Sequence, residues 1–231
     1  MVSENKNSSI KVLDSKSKNF LIAIAIGRKT LNDWQNYAKP GWIKYCKKHK
    51  LGIIVITKDL IEKKSRHWKK ATWQKWLIGS YLQKKYSNKI NNICYLDIDI
   101  LINPLAPNVF KFHDVNKISV VSMVNNLPYN LQNTRKKIAY SRNKFYSKKY
   151  PLDSVLFMPV KKIYEYHNLA PQKDFFCSGM FVINIKKFAK SMSDWFFKYT
   201  RDIKSITGDG DQVHTNYEVF KNKQVKILDY K

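Results

Sequence analysis

Cysteine is almost missing from this 231-residue chain: Cys46, Cys94 and Cys177 are the three, far apart and without a CxxC spacing. That excludes a disulfide framework or a zinc knuckle, and each thiol reads more simply as a small buried hydrophobe than as a nucleophile. A reducing, cytoplasmic setting fits best. Long apolar runs are missing too. The longest, "FLIAIAI" at residues 20–26, is far short of the roughly 20 residues of a membrane span. The opening "MVSENKNSSIKVLDSKSKN" lacks the apolar stretch of a signal peptide.

Acidic residues are the third scarcity, 17 against 43 basic ones for a net charge of +26. Such an excess points to a polyanionic partner: nucleic acid, an acidic glycan, or an anionic membrane surface touched peripherally. Within the basic set arginine is scarce, with Arg28, Arg66, Arg135, Arg142 and Arg201 standing beside 38 lysines. Nucleic-acid readers favour arginine for bidentate contacts that lysine does not reproduce. Lysine, asparagine and isoleucine are also the residues that adenine- and thymine-rich codons supply. The charge therefore lends weak support to an anionic ligand, and nucleic acid is not the expected one.

What is present is a folded body, 44% hydrophobic and 14% aromatic, of a length suited to one domain. Residues 1–18 read as a flexible polar tail and 19–231 as the domain. "FLIAIAIGRK" is a buried strand running into Gly27. "LNDWQNYAKPGWIKYCKKHK" has helical spacing, is interrupted at Pro40, and is closed by Gly52. "GIIVIT" is a second buried strand. "ATWQKWLIGSYLQKKY" sets Trp73, Trp76, Leu77, Ser80 and Tyr81 along one helical face, and "NICYLDIDILI" is a third strand. This order predicts an α/β fold with a mostly parallel sheet flanked by helices. Residues 125–171, rich in Lys, Asn and Tyr and carrying four prolines, read as a long basic insertion or an irregular subdomain. A strand and helix follow in "DFFCSGMFVINIKKFAKSMSDWFFKYT", a helix in "GDGDQVHTNYEVF" and a last strand in "QVKILDY". No internal repeat or heptad array is present.

The informative stretch is "NNICYLDIDILINPLAP" at residues 91–107. Strand alternation would send Asp97 and Asp99 to one face and Leu96, Ile98 and Ile100 to the other. Two like charges side by side repel, so something positive must sit between them or the strand must end. Aspartate is depleted in strands and costly to bury. A carboxylate pair at the carboxyl end of a parallel strand is where open α/β sheets bind ligands, and magnesium or manganese takes one or two such carboxylates plus substrate phosphate. The simpler reading is a pair of strand-end caps or partners for nearby lysines.

In the order of its pieces the chain resembles the GT-A glycosyltransferases, the nucleotide-sugar-dependent enzymes with a DxD motif, and among them the glycogenin-like and galactosyltransferase-like members. Those read as a helix, "LDxD", an "NSG" or "NAG" strand and a "DQ" helix. Here the pieces stand as "TWQKWLIGSYL", "YLDIDILINP", "FFCSGMFVIN" and "GDGDQVHTN", spread over most of residues 20–220. The resemblance implies a single GT-A, Rossmann-like domain that binds a UDP- or GDP-sugar with manganese or magnesium and transfers a hexose to a glycan or other hydroxyl acceptor. It implies that Asp97 meets the ribose or the metal, that Asp99 is the principal metal ligand, and that Ile98 lies between them at the donor. Ala25, Ile26 and Gly27 would meet the nucleotide base and ribose, and Lys75 a donor phosphate. Ser178 and Gly179 would let the sugar approach the backbone, with Cys177 where relatives usually carry asparagine. Asp211 and Gln212 would sit beside the transferred sugar and acceptor, with Asp209 a second acidic candidate. Many relatives supply a late histidine as third metal ligand; "LDYK" holds none, which leaves water, phosphate or His214 for that place. Tyr129, Tyr140, Tyr146 and Tyr150 could stack on acceptor sugars. The competing readings are a non-enzymatic polyanion-binding module using the Lys- and Tyr-rich insertion, and a degenerate transferase that keeps the fold.

Overall fold

The computed structural model describes residues 8–125, 127–145, 155, 158–199 and 210–229; Asp209, Tyr146 and Tyr150 lie outside them. In chain order the elements are β1 (Ser9–Leu13), β2 (Asn19–Ile24), α1 (Arg28–Asp33), a π-helical turn (Trp34–Ala38), α2 (Lys39–His49), β3 (Gly52–Ile56) and α3 (Ala71–Gln74). A short tight turn over Lys75–Leu77 leads into α4 (Ile78–Tyr86), followed by β4 (Asn92–Leu96), β5 (Ile118–Ser122), α5 (Leu131–Phe145) and α6 (Val160–Tyr166). β6 (Phe176–Asn184), α7 (Ile185–Lys198), α8 (Gln212–Lys221) and β7 (Val225–Leu228) complete the chain.

The strands form one sheet in the order β1-β3-β2-β4-β6-β5-β7. β3, β2 and β4 run parallel, as do β5 and β7, whereas β1 is antiparallel to β3 and β6 antiparallel to both β4 and β5. The mixed, helix-flanked α/β sheet is as expected, but parallel pairing makes up half of the ladders rather than most of them. The right-handed crossover rule acts on strands joined by a covering helix. The β2–β3 and β3–β4 connections are of that kind; the long connection into β6 is not.

Period-two alternation divides the core. Phe20, Ile22, Ile24, Ile54 and Ile56 face Trp73, Trp76, Ile78 and Leu82 of the α3–α4 segment and Phe188, Met192 and Phe196 of α7. Leu21, Ala23, Ile53 and Val55 face Trp34, Trp42 and Cys46 on the other side. Strands buried on both faces read as continuous apolar runs, which is why β2 and β3 stand out in the sequence.

Three expectations are corrected. The polar tail does not extend to residue 18: β1 pairs along the free edge of β3, with Val12 and Leu13 against the second core cluster. An edge strand with one face in water has a polar composition, so it reads as a tail. The helix after β2 is closed by Lys50 in a left-handed conformation (φ 59°), and Gly52 opens β3 instead. The insertion is not irregular throughout, since it holds α5 and α6, and its Val155, Ile163 and Tyr164 share an apolar cluster with Phe175 and with Val213 of α8. Among the described residues no helix is long and apolar enough to cross a membrane.

Gly52 lies opposite Phe20 in the parallel ladder, and a Cβ there would come within 2.1 Å of the Phe20 ring. Gly52→Ala is expected to destabilise the fold by about 1–3 kcal/mol through overpacking, read as a lower urea midpoint at unchanged m-value.

Candidate active site

The carboxyl ends of β2, β3 and β4 share one edge of the sheet. β6 runs the other way, so its opening residues Cys177, Ser178 and Gly179 reach that same edge beside the end of β4. β4 stops at Leu96. Asp97 is the next residue, half-buried, and its N–H donates to the Gly179 carbonyl at 2.8 Å. A turn follows, closed by the Ile100 N–H on the Asp97 carbonyl at 3.1 Å, and it carries Asp99 at its exposed tip. The two aspartates therefore do not share a strand face: the strand ends where like charges would have accumulated. Ile98 and Ile100, beyond the strand, pack on the apolar cluster around Trp42.

Asp97 is oriented from both sides. Its Oδ1 accepts a hydrogen bond from the Tyr95 hydroxyl at 2.7 Å, and its Oδ2 lies 2.5 Å from where a Cβ on Gly179 would stand. Burial, and next the negative charge of Asp97, push the Tyr95 phenol well above its usual pKa, so its proton stays on that hydrogen bond. Among the described residues neither Asp97 nor Asp99 forms a salt bridge, despite the excess of lysine. Oδ2 of Asp97 and the carboxylate of Asp99 are hard oxygen donors of the type magnesium and manganese prefer, with other positions left to water or diphosphate. The donor set thus fits such a cation.

Lys75, at the junction of α3 and α4, is 2% exposed. A solvated helix lysine is therefore not what stands there. Its ammonium donates to the Ser178 carbonyl at 3.0 Å and the Ser178 hydroxyl at 3.2 Å, pairs with Asp211 Oδ1 at 3.1 Å, and lies 5.2 Å from the centre of the Tyr95 ring. Asp211 occupies the N-cap position of α8, yet its carboxylate does not cap the helix. Its Oδ2 accepts instead from the Thr215 hydroxyl at 2.8 Å. Burial drives the Asp211 carboxyl upward in pKa, the Lys75 charge and the Thr215 hydrogen bond oppose that rise, and the charge of Asp97 adds to it.

Ala25 is fully buried, with its N–H on the Ile56 carbonyl at 2.7 Å. Gly27 adopts φ +99° at the entry to α1, a conformation that only glycine takes without strain. Ile26 lines a hollow of about 540 Å³ beyond the ends of β2 and β3, with Thr57, Lys58, Asp59, Lys63 and Lys64 on its walls. Thr57, Lys58 and Asp59 carry no motif of their own, although any residue directly after β3 falls on the same edge. Gln74 holds it in place: its Oε1 accepts from the Leu60 N–H at 2.7 Å, and its Nε2 donates to Asp59 Oδ1 at 2.5 Å and the Lys69 carbonyl at 2.9 Å. A second hollow of about 450 Å³, on the other face of the sheet, is walled by Leu21, Cys94, Leu96, Leu101 and Met180 and is almost wholly apolar.

Lys75, Asp97, Ser178, Gly179 and Asp211 thus come together. Gln212 is half-buried in the first turn of α8, with its carbonyl accepting from Asn216 Nδ2 at 2.9 Å. His214 does not join them. On a helix the side chain four residues on shares a face, so Thr215 meets Asp211, while His214 turns into a pocket of Trp73, Tyr199 and His167 at ring separations of 5.4, 4.5 and 6.0 Å. Among the described residues no three His, Cys, Asp or Glu side chains cluster so as to hold a metal ion, and the contacts of His214 are those of a packed ring. Burial lowers its pKa to about 3 and that of His167 to about 4. Among the described residues, His214 Nδ1 and both His167 ring nitrogens have no hydrogen-bond partner.

Two outcomes follow from these environments. Breaking a buried pair strands the other charge, so Lys75→Met is expected to cost about 3–5 kcal/mol in urea unfolding, with much of that loss recovered in Lys75→Met combined with Asp211→Leu. The histidines titrate from the ordinary value of 6.5 down to about 4 and 3 on folding, so between those pH values the unfolded chain binds more protons than the folded one. Their contribution is intact above pH 6.5 and is lost as pH falls; the thermal midpoint should drop between pH 6.5 and 4, and less steeply in His214→Phe.

No family model and no curated protein sequence matches the chain. Solved structures do. A glycosyltransferase involved in glycosylating the major capsid of PBCV-1 superposes with a TM-score of 0.51 at 11% identity, over 91% of this chain and 81% of that one. The galactosyltransferase LgtC, solved with donor and acceptor sugar analogs, gives a TM-score of 0.50 at 14% identity, over 90% of this chain and 73% of that one. At such identities the likeness is one of fold, and the fold is the GT-A type of these glycosyltransferases.

Proposed function

We propose that this chain is a metal-dependent glycosyltransferase that transfers a hexose from a UDP- or GDP-sugar to a hydroxyl on a glycan or other acceptor. The observation that carries the reading is the convergence of Lys75, Asp97, Ser178, Gly179 and Asp211, from four separate segments, at one sheet edge. A purely structural explanation accounts poorly for two carboxylates with no salt bridge among the described residues of so basic a chain.

Asp97 and Asp99 would hold manganese or magnesium, which supplies Lewis-acid stabilisation of the departing diphosphate. The hollow beside Ile26 and Thr57 would take the nucleoside, with Lys58, Lys63 and Lys64 compensating phosphate charge. Gly179, lacking a side chain, leaves room for Asp97 Oδ2 and the sugar. Asp211 cannot leave Lys75 without stranding a buried charge, so its part is electrostatic: a fixed negative group that stabilises positive charge developing at the anomeric carbon and helps orient the acceptor hydroxyl. Gln212, at the start of the same helix, would contact the acceptor side, with Asp209 a further acidic candidate.

A melting panel of UDP- and GDP-hexoses with manganese tests the donor, since a ligand at 100 times its dissociation constant stabilises by about 2.7 kcal/mol. Turnover of the donor that shifts the midpoint is expected to require the cation and to fall on the order of 100-fold in Asp99→Ala. Gly179→Ala, which thrusts a methyl at Asp97, should cost donor binding far more than stability. No shift with any such donor, or turnover indifferent to EDTA, refutes the reading.

A further inference from the structure

We propose that Tyr95 is a positioning residue that presents the Asp97 carboxylate to the cation. This rests on the reading of Asp97 and Asp99 as its ligands. A carboxylate just beyond a strand end has two free torsions, and a ligand that must meet a cation at a set angle needs an outer partner to fix it. Tyr95 stands two residues earlier on β4. Its ring is buried, 3% exposed, and stacks on Phe181, its partner across the antiparallel ladder, at 5.1 Å and 19°. That face-to-face anchorage sets where the hydroxyl points, and the hydroxyl meets Asp97 Oδ1 at 2.7 Å.

The two oxygens of Asp97 are thereby made unequal. Oδ1 is occupied by Tyr95, while Oδ2, free of that hydrogen bond, rests against Gly179, 2.5 Å from where a Cβ would stand. Oδ2 is the oxygen left for the cation. The same ring carries the Lys75 ammonium on its face at 5.2 Å. One side chain therefore touches both halves of the site: the hydroxyl orients the carboxylate arm and the ring supports the Lys75–Asp211 arm. A buried tyrosine hydroxyl needs some partner, but a backbone carbonyl or a water would have satisfied that need; a nearby carboxylate is the partner that gives it a role at the site.

Tyr95→Phe removes the hydroxyl and keeps the ring, the stack on Phe181 and the contact with Lys75. Manganese affinity would be measured by EPR titration with UDP and with GDP present, alongside calorimetry of the same nucleotides without metal and the thermal midpoint. The expected result is manganese affinity weaker by about 10- to 100-fold, metal-free nucleotide binding unchanged, and, in turnover, a raised KM for manganese with kcat nearly restored at saturating metal. Equal manganese affinity in the two proteins overturns the role of Tyr95 while leaving the cation reading standing. A parallel loss of metal-free nucleotide binding overturns it too, since that is the mark of general disruption. Wild-type protein that binds no manganese with either nucleotide overturns the cation reading and the role of Tyr95 together.

Discussion

The ion pair between Lys75 and Asp211 is the constraint around which the cleft is arranged. Both groups lie out of water, and taking an ammonium and a carboxylate into the interior is costly unless their remaining hydrogen-bonding capacity is met. Here it is met from three directions: the carbonyl and hydroxyl of Ser178 and the carboxylate of Asp211 take the ammonium, and Thr215 takes the second carboxylate oxygen. The contacts tie the α3–α4 segment, the start of β6 and the first turn of α8 to a single point. Those are the elements that bring the glycine-lined end of β6 against Asp97. A charge pair that cannot relax into solvent gives the edge a fixed electrostatic floor before any ligand arrives.

Next to that pair stand two further carboxylates, one of them held by the Tyr95 hydroxyl. Asp97 and Asp99 have no salt-bridge partner among the described residues although the chain carries 43 basic residues. On a protein this positive a carboxylate is a minority charge; Asp97, half-buried, and Asp99, exposed, stand two residues apart at one rim, and the hollow beside Ile26 sets Lys58, Lys63 and Lys64 among Asp59 and Glu62.

The apolar packing beneath explains why the polar groups keep their places. Trp73 and Trp76, the residues just before and after the Gln74–Lys75 pair, sit in a mesh of rings with Trp195, Tyr199 and His214. Large rings with few torsions hold a helix register at little entropic cost. Gln74 and Lys75 then emerge in set directions, one bracing the 57–70 segment and the other reaching Ser178 and Asp211. His214 belongs to this mesh by its aromatic character, and the low basicity that burial gives it is the consequence.

The sequence by itself determined the buried strands β2 and β3, the tryptophan face of the α3–α4 segment, the presence of an acidic pair towards the carboxyl end of the third strand and the acidic start of α8. Each of these is encoded by local periodicity or by residue types that tolerate only one environment. Tertiary structure alone decided the rest. The direction of β6 depends on a connection with no helical crossover to dictate it. The strand identity of residues 9–13 depends on an open sheet edge rather than on composition. Lys75 is one lysine among 38 until the fold places three acceptors around it, and the hydrogen bond from Tyr95 to Asp97 exists only because Phe181, 86 positions later in the chain, fixes the ring. Periodicity reports which face a side chain takes; which groups meet there is set by strand order and helix register, and those are properties of the whole sheet.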